Sequence, residues 1–332
     1  MASAASSLLL PAQVLPPPLA MAEANWTSVS EFVLLGLSER QDLQLLIFGG
    51  LLATYVLNLA GNSMLLVLIW ADPQLASPMY FLLSQLAMVD MGLASITLPQ
   101  ALVNTLSQHR VIPFASCLAQ LFLYLAVDNM EGYLLAIMAY DRYMAVCDPL
   151  RYAAVVTRSL CLKMAAASLA VVISHGLLHA VMTARLRYCG NSVQHFFCDV
   201  PPLLRLSCTR PFASELVIST QGVLVVLGPF AFILASYARI GVAVARLRSA
   251  QALRKALSTC GSHLTVVLLM YGSVAWFYFR PASSHALGHD WEVAVFYTVV
   301  APALNPLIYS LRNKDVAAAL RRTGRKVLAR GT

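Results

Sequence analysis

The stretch Met138–Leu150 reads MAYDRYMAVCDPL, and there an apolar helix that begins near Ser116 meets its first run of unburied charge. Upstream, the segment suits a membrane interior; just downstream, Arg151, Arg158 and Lys163 make the chain basic. Asp141-Arg142-Tyr143 places an always-charged guanidinium beside a carboxylate at a water edge, where Arg142 pairs with Asp141 or releases it for another acceptor. One cation with two alternative partners is a switch element.

Working outward, the 332 residues are 59% hydrophobic and only 11% charged, with a mean hydropathy of +0.71. Those values lie outside the soluble globular range and indicate an integral membrane protein. A spanning helix needs roughly 20 apolar residues. Seven segments meet that length, at about 43–70, 79–104, 115–143, 160–182, 213–244, 257–279 and 291–311. The expected fold is an all-α seven-transmembrane helix bundle over 43–311, between an amino-terminal tail (1–42) and a carboxy-terminal tail (312–332). The connections are short and leave no room for a soluble domain.

Basic residues set the expected orientation. With the Met138–Arg158 boundary in the cytoplasm, sixteen of the 23 Lys and Arg fall on that side and seven on the other. The amino terminus is then extracellular and the carboxy terminus cytoplasmic. The net charge of +8 reads as this bias together with contact to anionic membrane lipid, with no call for a nucleic-acid partner.

Residues 1–20 are proline-rich and lack a basic n-region, so a disordered tail is expected there in place of a cleaved signal peptide. Asn25-Trp26-Thr27 is a glycosylation sequon on the expected exterior side. Further in, Asn62 lies about 12 Å below the cytoplasmic edge, counting 1.5 Å per residue, and Asp90 lies near mid-membrane. Tyr124, Asp128, Glu131 and Leu135 share one helix face. Glu131 stands about 16 Å above Arg142, close to the depth of Asp90. Two carboxylates at one depth in low dielectric need a cation or a proton between them.

There are seven cysteines. Cys117, Cys189, Cys198 and Cys208 lie on the expected oxidising side and imply two bridges, for which arithmetic permits three pairings. A zinc site is disfavoured, because Cys-x-x-Cys spacing is missing. Cys147, Cys161 and Cys260 face the reducing side as free thiols. Pro229 is expected to kink its helix. His263, polar within an apolar run, reads as a packed, hydrogen-bonded conformational element. Asn305 and Pro306 loosen the last span near Tyr309, and Asp315–Leu328 has the pattern of an interfacial amphipathic helix.

Six separated motifs occur in order: PMYF (78–81), MAYDRY (138–143), HFFCD (195–199), SYARI (236–240), KALSTCGSH (255–263) and NPLIYSLRN (305–313). Together they resemble the odorant receptor family of rhodopsin-like G-protein-coupled receptors, over nearly everything from Asn25 to Val316. The resemblance implies bridges Cys117–Cys198 and Cys189–Cys208. It also implies a polar cavity of Asp90, Glu131 and Asn305 that holds a sodium ion as an allosteric modulator, with a protonated carboxylate as the alternative. Asp141, Arg142, Tyr143, Tyr237, Asn305, Pro306 and Tyr309 would form the switch facing a heterotrimeric stimulatory G protein, which raises cyclic AMP at the plasma membrane.

The ligand implied is a small volatile odorant in a mostly apolar pocket in the outer half of the bundle. Its expected contacts are Tyr124, Leu125, Asp128 and Asn129 on the third span, with Gln221 and Val225 on the fifth. Val274 and Tyr278 on the sixth and Thr298 on the seventh complete them. Gln85, Ala87, Asp148, Leu257 and Met270 depart from the family pattern and bear on packing and coupling more than on fold. A transporter or channel is the alternative function, but no repeated halves with matched broken helices are visible. No nucleophile, base and orienter stand out, so an enzyme is not expected.

Overall fold

The computed structural model describes residues 29–37, 41–107, 110–209, 211–246, 250–279 and 294–330. Helix α1 (Gln41–Ala71) stops where Asp72-Pro73 cannot continue it, and the Asp72 carboxylate instead accepts the Gln74 N–H at 3.0 Å to start a 3-10 turn. Helix α2 (Pro78–Leu106) opens on a proline, whose missing N–H is no loss in a first turn. Helix α3 (Phe114–Cys147) runs to the Asp148-Pro149 break. The short α4 (Pro149–Val155) leads to α5 (Arg158–Ala184), capped by the Thr157 hydroxyl on the Leu160 N–H at 3.2 Å.

After α6 (Val200–Leu204), one rod is built from α7 (Phe212–Gly222), a π-helical segment Val223–Leu227 and α8 (Gly228–Arg246). Helix α9 spans Ala250–Phe279. A last rod passes through a π-helical segment, Phe296–Val300, into α10 (Ala301–Arg312), and α11 (Lys314–Arg330) follows. Among the described residues, α1, α2, α3, α5 and the α7–α8 rod are long and apolar enough to cross a membrane.

Helix α3 is the axis, packed by α2, α5, α8 and α9, and its Leu134, Leu135 and Met138 are buried in the main core. Large side chains on the outside of α1 and α8, such as Val67 and Leu234, remain exposed as lipid contact requires. Where the sequence suggests a simple kink at Pro229, the structure widens the helix into π register in the turn before it. The reason is steric and polar at once: proline donates no N–H and its ring presses on the carbonyl four residues back, so an extra residue in the turn relieves the clash. Pro302 follows the second π segment in the same way.

One end of the bundle carries a small sheet that no periodicity announces. Strand β1 (Glu31–Leu34) lies between β2 (Val111–Pro113), antiparallel to it, and β3 (Ser192–Val193), parallel to it. Phe32 and Leu34 are fully buried there, the Phe32 ring lying 5.7 Å from Phe114 and 5.1 Å from Tyr188. Burying such a side chain contributes about 1.5–3 kcal/mol, so residues 31–34 of the amino-terminal segment are bound structure. Asn25 and its sequon lie outside the described residues.

Candidate functional site

At the sheet-bearing end, disulfides join Cys117 to Cys198 and Cys189 to Cys208. The first ties the head of α3 to the loop HFFCD. Gln120 completes the attachment, its amide oxygen accepting the Cys198 N–H at 2.9 Å and its nitrogen donating to the Ile96 carbonyl at 2.9 Å. The loop thereby presents Phe197 edge-on to Tyr124, ring centres 4.7 Å apart. The Tyr124 hydroxyl donates to Tyr297 at 3.2 Å.

One turn along α3, Asp128 is half-buried, and Asp199 from the loop lies within its electrostatic reach. Burial pushes the Asp199 carboxyl up to about 6, against the opposing pull of the Val200 N–H and the Arg205 guanidinium. Tyr271 from α9 stacks on Phe230 at 4.5 Å. Its hydroxyl would sit 3.1 Å from a Cβ at Gly132, so any larger residue there would push the Tyr271 ring aside.

Of the residues expected to contact ligand, Tyr124, Leu125 and Asp128 thus face the loop and the last rod. Asn129 donates instead to the Leu125 carbonyl of its own helix at 2.6 Å, and the Thr298 hydroxyl to Ala294 at 2.6 Å. Gln221 is turned toward α5, 2.9 Å from Nδ1 of His175. Val225 is buried in the first π segment, and the side chains of Val274 and Tyr278 lie outside the described residues. Sequence reasoning missed Tyr297, Asp199 and the pair His175 and His179, whose rings meet at 4.5 Å. The four-residue spacing of the two histidines on one apolar helix was the available signal.

Mid-bundle, Asp90, Glu131 and Asn305 are all buried. Asn305 Nδ2 donates to both Asp90 oxygens, at 3.1 and 3.0 Å, and its side chain also reaches Glu131. Asn62 donates to the Pro302 carbonyl at 3.4 Å and to its own Asn58 carbonyl at 3.1 Å. Pro306 supplies no N–H to Pro302, four residues back in helical register, and the Asn62 amide takes that place. Gly61 is required beside it, since a Cβ there would stand 2.9 Å from the Pro306 ring.

At the opposite end, Arg142 Nε lies 3.7 Å from Asp141 Oδ2, while the Tyr152 hydroxyl donates to Asp141 Oδ1 at 2.8 Å. Tyr237 meets His263 Nδ1 at 2.7 Å, and His263 Nε2 meets the Leu135 carbonyl at 2.9 Å, so the imidazole bridges α8 and α3. Tyr143 packs against the cluster of Ile240, Val244 and Cys260. Tyr309 is buried, and its hydroxyl finds no hydrogen-bond partner among the described residues. Helix α11 is held by Tyr80, which donates to Asp315 at 2.9 Å, and by the Arg322–Asp72 ion pair at 2.6 Å.

Three features therefore lie along α3: a stapled aromatic and acidic cluster, a buried carboxylate–amide cluster, and an arginine held by one carboxylate. Among the described residues no group of three or more His, Cys, Asp or Glu is placed to hold a metal ion. The family model described as olfactory receptor matches residues 51–326. Rat olfactory receptor 1f45 is 46% identical over 310 residues, covering 93% of this chain and 98% of the relative. Mouse olfactory receptor 1J21 is 45% identical, covering 91% and 97%, and human olfactory receptor 1L1 is 43% identical, covering 91% and 84%. With the motifs along α3 and matches of this extent, the chain belongs to the olfactory receptor family.

Proposed function

We propose that the protein is an odorant receptor of the plasma membrane that crosses the bilayer seven times, amino terminus outside, and activates a stimulatory heterotrimeric G protein to raise cyclic AMP. The observation that carries this reading is the Arg142 end. There the Asp141–Arg142 pair, the Tyr152 hydroxyl and the Tyr237–His263–Leu135 chain form one set of exchangeable polar contacts, opposite the stapled cluster. A ligand that shifts α3, α8 or α9 breaks contacts of a few kcal/mol and frees the guanidinium for a partner. Basic side chains at that end suit both G protein and anionic lipid.

A small volatile compound enters beside Tyr124, Leu125 and Asp128, below the Phe197 loop. Asp90, Glu131 and Asn305 fit a sodium ion, because all their available donors are oxygen and Asn305 Oδ1 is buried without a partner among the described residues. Bound there, the ion would offset one of the two carboxylate charges, leaving the second to a proton.

The test is a cyclic AMP reporter response to a chemically broad odorant panel, run beside uptake of the same compounds. Responses without uptake are expected. Saturable uptake with no second-messenger change would establish a transporter and sink the receptor reading.

A further inference from the structure

The carboxylate–amide cluster does not end at Asn62. One helical turn away along α1, toward the disulfide end, Asn58 is 1% exposed, and neither Nδ2 nor Oδ1 has a hydrogen-bond partner among the described residues. A buried primary amide with both its donor and its acceptor unused is uncommon, because each group loses water on burial. Something small and polar must complete it.

The neighbouring rod carries a proline, and so a missing backbone donor, at that level. Helices α1 and α10 run in the same direction, since Asp72 just after α1 binds Arg322 beyond α10, while α1 also packs on the second π segment. The Asn62–Pro302 bond sets their register. Stepping one turn, about 6 Å, toward the disulfide end carries Asn62 to Asn58 and Pro302 to Thr298. The two prolines stand four apart like the two asparagines. Pro306 denies an N–H to Pro302, and Pro302 denies one in turn to the widened segment before it, where the Ala301 N–H already reaches back five residues to the Phe296 carbonyl. The inner of these places is served directly by Asn62. The outer one lies in the widened segment, and Thr298, fully buried, spends its hydroxyl on Ala294.

We propose that Asn58 and the backbone turn before Pro302 bind an ordered internal water, a second bridge between α1 and the last rod, one turn beyond the direct Asn62–Pro302 bond. The site suits water because it offers a neutral donor, a neutral acceptor and a carbonyl, and brings no charge to hold an ion. A bridging water adapts to changes in helix bend that a direct side-chain bond would resist. It gives the proline-punctuated rod a place to flex without stranding a buried carbonyl.

Two measurements on the purified full-length receptor test this. A density map fine enough to show ordered water should place one within hydrogen-bonding distance of the Asn58 amide; clear density for the side chain with none beside it overturns the proposal. The second is a thermal-unfolding cycle. Asn58→Leu keeps the volume and removes both polar atoms, so it should lower the midpoint by several degrees. Pro302→Ala restores an N–H to the helix, and in that background the same change should cost little. If Asn58 were merely a packed side chain, Leu would leave the midpoint unchanged or raise it, or the two losses would add; either result overturns the proposal. Should Asn58→Leu not be recoverable, Asn58→Ala takes its place in the same cycle.

Discussion

The two ends of the bundle are closed by different chemistry. At the disulfide end, two disulfides, a three-stranded sheet and the Gln120 bridge hold the loop, and aromatic contacts fill what remains. At the Arg142 end, Tyr143 packs on a small apolar cluster and the polar closing contacts are single hydrogen bonds and one ion pair, none of them covalent. Covalent closure suits a surface that must keep its shape while ligands come and go; exchangeable closure suits one that must change shape when they do.

The largest expected effect comes from opening the stapled end. Cys198→Ser removes the bond that anchors the loop to α3, which costs about 2–5 kcal/mol, and should abolish surface expression measured by flow cytometry on intact cells. Normal trafficking of this variant would show that covalent closure there is dispensable. Next is Arg142→Ala, which should leave surface level unchanged and reduce odorant-driven cyclic AMP to background. Loss of both would mean that the two ends do not divide folding from signalling.

A subtler change probes the disulfide end. Asp128 and Asp199 lie within each other's field, which favours ligands that bring a donor or a cation. Asp128→Asn keeps the size and deletes the charge, so responses to amines should fall at least tenfold while those to esters and hydrocarbons hold. An unchanged agonist ranking across the panel would remove Asp128 from recognition.

The smallest effect concerns acidity at the loop. The Asp199 carboxyl, raised by burial from 3.8 to about 6, holds its proton more tightly folded than unfolded. Its contribution to stability is therefore complete below about pH 4 and is lost as pH rises through 6. Thermal midpoints measured from pH 4 to 7 should fall more steeply for the wild type than for Asp199→Asn; parallel curves would argue against this assignment.

How much of this was readable beforehand follows from range of interaction. Helix existence rests on local apolar runs, so 79–104 falls within two residues of Pro78–Leu106 at each end, whereas α9 begins at Ala250, seven residues before the expected 257, because its first turns are too polar to read as membrane span. The spacing of Asp90 and Glu131 likewise announced a shared depth. What stayed hidden depends on which way a side chain turns: Asn129 and Thr298 bond their own helices, and Gln221 turns to His175. Depth arithmetic does not choose among such rotamers. Nor does any local pattern mark Glu31–Leu34 as a strand, because its partners lie far away in sequence. The π segments are legible only afterwards, as the local response to Pro229 and Pro302.

Strand β1 has a consequence for how the protein is made. It is synthesised before both its partners, Val111–Pro113 and then Ser192–Val193, so during translation Phe32 and Leu34 wait for the first partner, and the sheet stays incomplete until more than half of the 332 residues have emerged. Closing so long a loop is slow and entropically costly. The sheet therefore reports on assembly order, and an antibody against Glu31–Leu34 would recognise nascent or stalled chains and lose its epitope as the finished receptor closes over it.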